Sequence, residues 1–258
     1  MNRKLVNFAD SFLKSEQGVH KIAVVRFTCL NDSFNWGTKH CEHRFNPIFV
    51  DELEMCIQKL EADRSYRCLV LTGEGKYFSN GMDIDFIRRN LSQAHALQKR
   101  TESLMSRILK LPLITVSLIN GHCTAAGAVL SLCTDFRLMT TRRLFFLPAV
   151  NLGIVYSQGL IEVVKAKVSD PIILQDMLLF SRRYSSTELV KLGIVHRQIE
   201  TVEEGLNEIE NLYREHSNFV GSSLGAVRSR MYQRAIQCLE SDDVDSNMFW
   251  ENLNKCKL

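Results

Sequence analysis

Two short segments carry residues suited to catalysis by backbone groups. Lys76 to Asp83 reads KYFSNGMD, and Ile119 to Gly127 reads INGHCTAAG. Each follows an apolar run of strand length, Cys68 to Thr72 and Leu113 to Ile119. Ligands in parallel sheets sit beyond the carboxyl ends of the strands. Small-residue turns there leave backbone N–H groups free to face a developing negative oxygen, and a helix opening at Ala126 or Gly127 adds the positive end of its dipole. Taken singly, Gly75, Gly81 and Gly121 also read as ordinary turn residues; it is their pairing behind two buried strands that suggests oxyanion chemistry. Nucleotide binding is disfavoured, because Gly73-Glu74-Gly75-Lys76 lacks the P-loop spacing and no G-x-G-x-x-G follows a strand.

Side chains able to move a proton are fewer. Asp83, Asp85 and Glu162 are the carboxylates nearest these segments in sequence, and each also reads as a turn, helix-start or solvated charge. Tyr156 ordinarily titrates near 10. His122 titrates in the physiological range unless buried as a structural residue. Arg44 and Lys76 could contact phosphate or serve as surface charge. The cluster His40, Cys41, Glu42, His43 has metal-type side chains, but four consecutive residues do not converge on one ion, so no metal site is expected.

Those segments need a frame. The 258 residues carry 32 Lys plus Arg against 29 Asp plus Glu, a net +3 too balanced for a nucleic-acid or membrane-surface protein. No apolar stretch approaches the length of a membrane span, and the start has no signal-peptide pattern. Eight scattered cysteines without a C-x-x-C pair suggest reduced thiols. Strand patterns at 19–28, 68–72, 113–119, 136–140 and 144–147 alternate with helical ones at 46–63, 91–110 and 125–133, which predicts an α/β fold with a largely parallel sheet. Beyond residue 160 the pattern is helical, at 171–180, 186–192, 203–216 and 224–240, with one short strand at 194–196. Ser185 and Glu188 form a capping box there, and Gly193 is the stop. The expected organisation is a core over 1–200 and a helical segment over 201–258.

The two segments, with Thr134-Asp135-Phe136-Arg137 and the Asn151-Leu152-Gly153 turn, resemble the signature blocks of the crotonase (enoyl-CoA hydratase/isomerase) superfamily. The blocks EHRFNP at Glu42 to Pro47 and AKVSDP at Ala166 to Pro171 are similar to those of plant-type peroxisomal Δ3,Δ2-enoyl-CoA isomerases, and the resemblance covers roughly 19–200. It implies a crotonase-like ββα spiral with a helical C-terminal region that assembles trimers or hexamers. It also implies an acyl-CoA thioester substrate, with no cofactor besides the coenzyme A of that substrate. The oxyanion donors it implies are the N–H groups of Met82 and Ala126, within a substrate-binding set of Ser79, Asn80, Gly81, Met82, Asp83, Ala126 and Gly127. The family's usual Glu positions are occupied here by Val129, Ala149 and Ser157, so the base is unassigned. The implied activity is a shift of a 3-enoyl-CoA double bond to 2-trans in fatty-acid β-oxidation; the alternative is an acyl-CoA-binding protein without that chemistry.

Cys256-Lys257-Leu258 resembles the small-basic-Leu tripeptide of peroxisomal matrix proteins, which implies an import receptor as partner and a peroxisomal location. Prenylation would need the cysteine at position 255, which is Lys. A fluorescent protein carrying this tail should enter peroxisomes, and removal of Leu258 should leave it diffuse; a diffuse signal from the intact tail rejects the assignment.

Overall fold

The computed structural model describes residues 4–15, 18–28 and 41–241. The chain opens with an antiparallel pair, β1 (Val6–Ser15) and β2 (Gly18–Phe27). Then come α1 (Pro47–Ala62), β3 (Tyr66–Gly73), β4 (Tyr77–Ser79), α2 (Ile84–Arg89), α3 (Leu91–Lys110), β5 (Ile114–Ile119) and β6 (His122–Thr124). They are followed by α4 (Ala125–Leu132), β7 (Phe136–Thr140), β8 (Leu144–Phe146) and a 3-10 turn at Val150–Leu152. The remainder is α5 (Gln158–Lys167), α6 (Pro171–Leu178), β9 (Tyr184–Ser185), α7 (Ser186–Lys191), β10 (Arg197–Ile199), α8 (Val202–His216), α9 (Gly221–Met231) and α10 (Gln233–Glu240). Among the described residues no helix is long and apolar enough to cross a membrane.

One six-stranded sheet runs β1-β2-β3-β5-β7-β10, parallel from β2 onward. A smaller sheet runs β4-β6-β8-β9. This is the α/β spiral that the sequence resemblance implies. Alternation along β3 feeds two cores: Leu69 and Leu71 face the main core with α1, α3, α4 and α5, while Cys68 and Val70 face the other side. That second face is covered by Ile209, Leu212 and Tyr213 of α8. α8 thus packs its apolar face on the large sheet.

α1 and α3 follow the predicted periodicity closely, with Asn46 accepting the Phe49 N–H as N-cap and Leu111 ending α3 before Pro112. The Ser185–Glu188 capping box is formed in both directions. The short strands β4, β6 and β9, the helices α2 and α5, and the whole of β1 carry too little pattern to be read from sequence. The strand expected at 194–196 lies three residues later. Ile194 and Val195 donate to the Leu189 carbonyl and close the end of α7, so pairing with β7 begins only at Arg197. The single helix expected over 224–240 is broken at Tyr232, whose hydroxyl receives Lys167 Nζ at 2.7 Å while Nζ lies 4.2 Å from the ring centre. Cys56, Cys68, Cys123, Cys133 and Cys238 are free and buried, but Cys41 is disulfide-bonded, so the thiols are not uniformly reduced.

His196 sits where β10 joins β7, with Nδ1 accepting the Arg137 N–H at 3.1 Å. Burial, then the charges of Arg137, Lys167 and Arg197, lower its pKa to about 4. Between pH 6.5 and 4 the unfolded chain therefore binds a proton that the folded chain refuses, so stability falls as the pH falls. The melting temperature should drop across that window, and His196→Asn, which keeps an acceptor there, should reduce the drop; an equal drop in both proteins counts against this account.

Candidate active site

The site is built where β3 and β5 end. After β3 the chain passes through β4 into the turn 79–83; after β5 it passes through β6 into α4, and β4 pairs with β6 in parallel. This pairing brings the two segments together. Gly81, at φ +79°, lies against the start of α4: a Cβ there would fall 2.8 Å from the Ala126 nitrogen and 2.8 Å from Ala125 Cβ. Gly127 packs as closely, since a Cβ on it would stand 2.6 Å from Ser79 Cβ.

The two N–H groups of interest have their local partners removed by geometry. Met82 forms a parallel bridge with Phe45, in which Phe45 N–H donates to Gly81 O at 2.8 Å and Asp83 N–H donates to Phe45 O at 3.2 Å. The Met82 N–H therefore points away from Phe45. Ala126 is the second residue of α4, a position whose N–H lacks an acceptor within the helix. Thr124, the N-cap, makes no side-chain cap bond to the first turn. Ala125 is held at φ +50°, an uncommon conformation for a residue with a Cβ.

The other members of the set have structural duties. Ser79 is fully buried; its hydroxyl donates to His43 O at 2.8 Å and accepts the Gly81 N–H at 3.1 Å. Asp83 caps α2 by accepting the Phe86 N–H at 3.0 Å. Asn80 donates from Nδ2 to Glu42 at 2.9 Å and accepts from the Thr124 hydroxyl at 2.5 Å. Sequence reasoning missed Glu42 and Thr124 as parts of this site. The usable signal was the Glu42-His43-Arg44-Phe45 block itself, which hydrogen-bonds along the 79–83 turn through Asn80 N–H to Glu42 O and Phe45 N–H to Gly81 O.

No carboxylate stands at the usual base positions. Val129 is fully buried in α4, Ala149 is buried, and Ser157 caps α5 by accepting the Leu160 N–H. Tyr156 accepts the Ala149 N–H at 3.2 Å, and burial pushes its pKa up, so it stays protonated at neutral pH. Although burial opposes it, bonds from Lys165 and Gln158 hold the Glu162 carboxyl below its ordinary value. His122 accepts the Leu144 N–H at Nδ1, and burial, then Arg143 and Lys76, lower its pKa, so it is neutral and structural. Arg44 is engaged with Glu42 at 2.6 Å and Asp85 at 2.5 Å, while Lys76 is exposed. Among the described residues no cluster of three metal-type side chains could hold an ion; His40 lies outside them. A separate groove of about 360 Å³ between the ends of α1, α3 and α9 holds Arg107 and Lys110, but both are ion-paired, with Glu61 and Glu240.

The model of the enoyl-CoA hydratase/isomerase family matches residues 42–250. The chain belongs to that family. Among similar proteins, the peroxisomal enoyl-CoA delta isomerase 1 of Arabidopsis thaliana is 27% identical over 202 residues, 76% of this chain and 83% of that one. The peroxisomal enoyl-CoA delta isomerase 2 of the same plant is 31% identical over 176 residues, 64% of this chain and 72% of that one. A crystal structure of a probable enoyl-CoA hydratase from Mycobacterium tuberculosis has the same fold, with TM-score 0.77 over 96% of this chain and 99% of that one at 20% identity. Membership supports an enzyme of the enoyl-CoA isomerase/hydratase type.

Gly81→Ala places a methyl group against the Ala126 nitrogen, whereas Gly75, at φ +70°, has no atom within 4 Å of an added Cβ. Both substitutions should cost about 1 to 2 kcal/mol of backbone strain. Only Gly81→Ala should also abolish acyl-CoA turnover or binding, measured by titration and steady-state assay; equal effects of the two would count against the site.

Proposed function

We propose that the protein is a Δ3,Δ2-enoyl-CoA isomerase that holds the thioester oxygen between the N–H groups of Met82 and Ala126. The observation that carries this reading is the abutment of Gly81 on the Ala126 nitrogen, with neither N–H directed to a neighbouring strand or helix acceptor among the described residues. In the reaction a base, unassigned among the residues at the usual positions, takes the C2 proton and later returns it to C4; the C2–H electron pair forms C1=C2, and the carbonyl pair moves to oxygen as the enolate. Collapse restores C1=O and shifts the pairs so that C2=C3 forms and C4 takes up a proton. No water is added and no redox partner is needed. Each missing oxyanion donor typically costs about 10² to 10³ in rate.

The lack of a carboxylate at Val129, Ala149 and Ser157 argues against hydration, which calls for paired acid and base groups. The same lack favours a second reading, an acyl-CoA binder that keeps the pocket without turnover. The names of the plant relatives and the blocks shared with them support the first.

Self-association is part of the proposal. On α6 only Met177 is buried, while Ile172, Leu179 and Phe180 at and beyond its ends are 68%, 56% and 63% exposed. An apolar helix left open in one subunit supports burial against a copy. A peroxisomal location is proposed from the Cys256-Lys257-Leu258 tail, which lies outside the described residues, and from the peroxisomal names of two relatives.

Purified protein given a 3-enoyl-CoA should form the conjugated 2-enoyl-CoA, read by its ultraviolet absorbance, with no measurable hydration of a 2-enoyl-CoA. Acyl-CoA binding without turnover would hand the assignment to the second reading. Light scattering on the same preparation should give a multiple of three subunits; a monomer rejects the assembly.

A further inference from the structure

An enolate oxygen shared by donors from two separate loops requires those loops to keep one spacing. A displacement of about 1 Å at such a site can cost about 10² in rate. One side-chain bond joins the loops directly. The Thr124 hydroxyl donates to Asn80 Oδ1 at 2.5 Å. Asn80 stands two residues before Met82, and Thr124 two residues before Ala126, so the bond ties the turns at equivalent distances from both donors.

The direction of this bond is set by a third residue. Asn80 Nδ2 donates to Glu42 Oε2 at 2.9 Å, and Arg44 Nε donates to the same oxygen at 2.6 Å. An ionised carboxylate only accepts, so the Asn80 amide turns its nitrogen to Glu42 and its oxygen to Thr124. Backbone contact fixes Asn80 further, its N–H donating to Glu42 O at 2.8 Å. Thr124 is of the type that commonly caps a helix, yet its hydroxyl is directed across to the other loop and leaves the first turn of α4 uncapped. The adjoining Ala125 at φ +50° needs its surroundings to hold it.

We propose that Asn80 and Thr124 are positioning residues that set the spacing of the Met82 and Ala126 donors, with Glu42 orienting the Asn80 amide. The inference rests on the oxyanion reading of those two N–H groups. It assigns to Asn80 a role within the protein rather than on the substrate.

Thr124→Val removes the hydroxyl at nearly constant volume, and Thr124→Ser restores it. With a 3-enoyl-CoA, the valine variant should lose about 10- to 100-fold in kcat while KM stays within about threefold, and the serine variant should recover most of the rate. A second readout needs no turnover: bound acetoacetyl-CoA should show the near-ultraviolet band of its enolate form, weakened in the valine variant while that variant remains folded. Asn80→Ala should reproduce the loss, and the double variant should be no worse than either single one, since both remove the same bond. If Thr124→Val fails to fold, Asn80→Ala carries the test. Unchanged kcat and enolate band in a folded variant, or a change confined to KM, overturns the inference and leaves the oxyanion reading intact. A wild-type protein with neither turnover nor enolate band overturns that reading and the inference with it.

Discussion

Everything at the site depends on how closely the 79–83 turn approaches the start of α4. Gly81 and Gly127 meet Ala126 and Ser79 at distances that leave no room for a Cβ. The approach follows from the β4–β6 pairing, which is itself only a few residues long and relies on the parallel strands β3 and β5 behind it. Fully buried strands on both faces make that frame stiff, because displacement of either would open voids in two cores at once. Backbone donors suit such a frame: packing brings the two turns together, and the proposed Asn80–Thr124 bond fixes the final spacing.

The far end of α4 is held by charge. The Thr134 carbonyl, just beyond the helix, accepts Arg137 Nη1 at 2.6 Å and Lys167 Nζ at 3.2 Å. Arg228 Nη2 reaches Asp135 at 2.7 Å beside them. Burial lowers Arg137 to about 10 and Lys167 to about 8, so Arg137 is charged at neutral pH and Lys167 largely so, facing the negative end of the helix dipole. Lys167 also donates to the Tyr232 hydroxyl, at the junction of α9 and α10. The helix proposed to supply a donor at one end is thus pinned at the other by cations from β7 and α5.

The chemistry such a site can support is narrow. Val129 presents an apolar side chain inside α4, and the Ala149 N–H donates to the protonated Tyr156 hydroxyl. Stabilising a negative oxygen is within reach of backbone groups alone, while addition of water asks for groups that these positions lack. That asymmetry is why the proposal is an internal double-bond shift or, failing turnover, acyl-CoA binding.

By itself the sequence determined the elements with strong local signals. The Asn46-Pro47 start of α1, the periodic α3 ending before Pro112, the capping box at Ser185 and the buried runs of β3 and β5 were all legible, because each depends on neighbours within one or two turns. The paired small-residue junctions were legible too, as composition behind buried strands. Tertiary structure alone decided the rest. The three-residue strands β4 and β6 are fixed by pairing across the small sheet, β4 with β6 and β6 with β8, and β10 slid to Arg197 because Ile194 and Val195 were claimed by the end of α7. The helical pattern over 224–240 divides at Tyr232, where the ring meets Lys167 from 65 residues upstream. Glu42, Asn80 and Thr124 meet across separations of 38 and 44 residues, distances at which no periodicity speaks. Local structure is written in spacing along the chain; a site assembled from three segments is fixed only when the sheet brings their ends together.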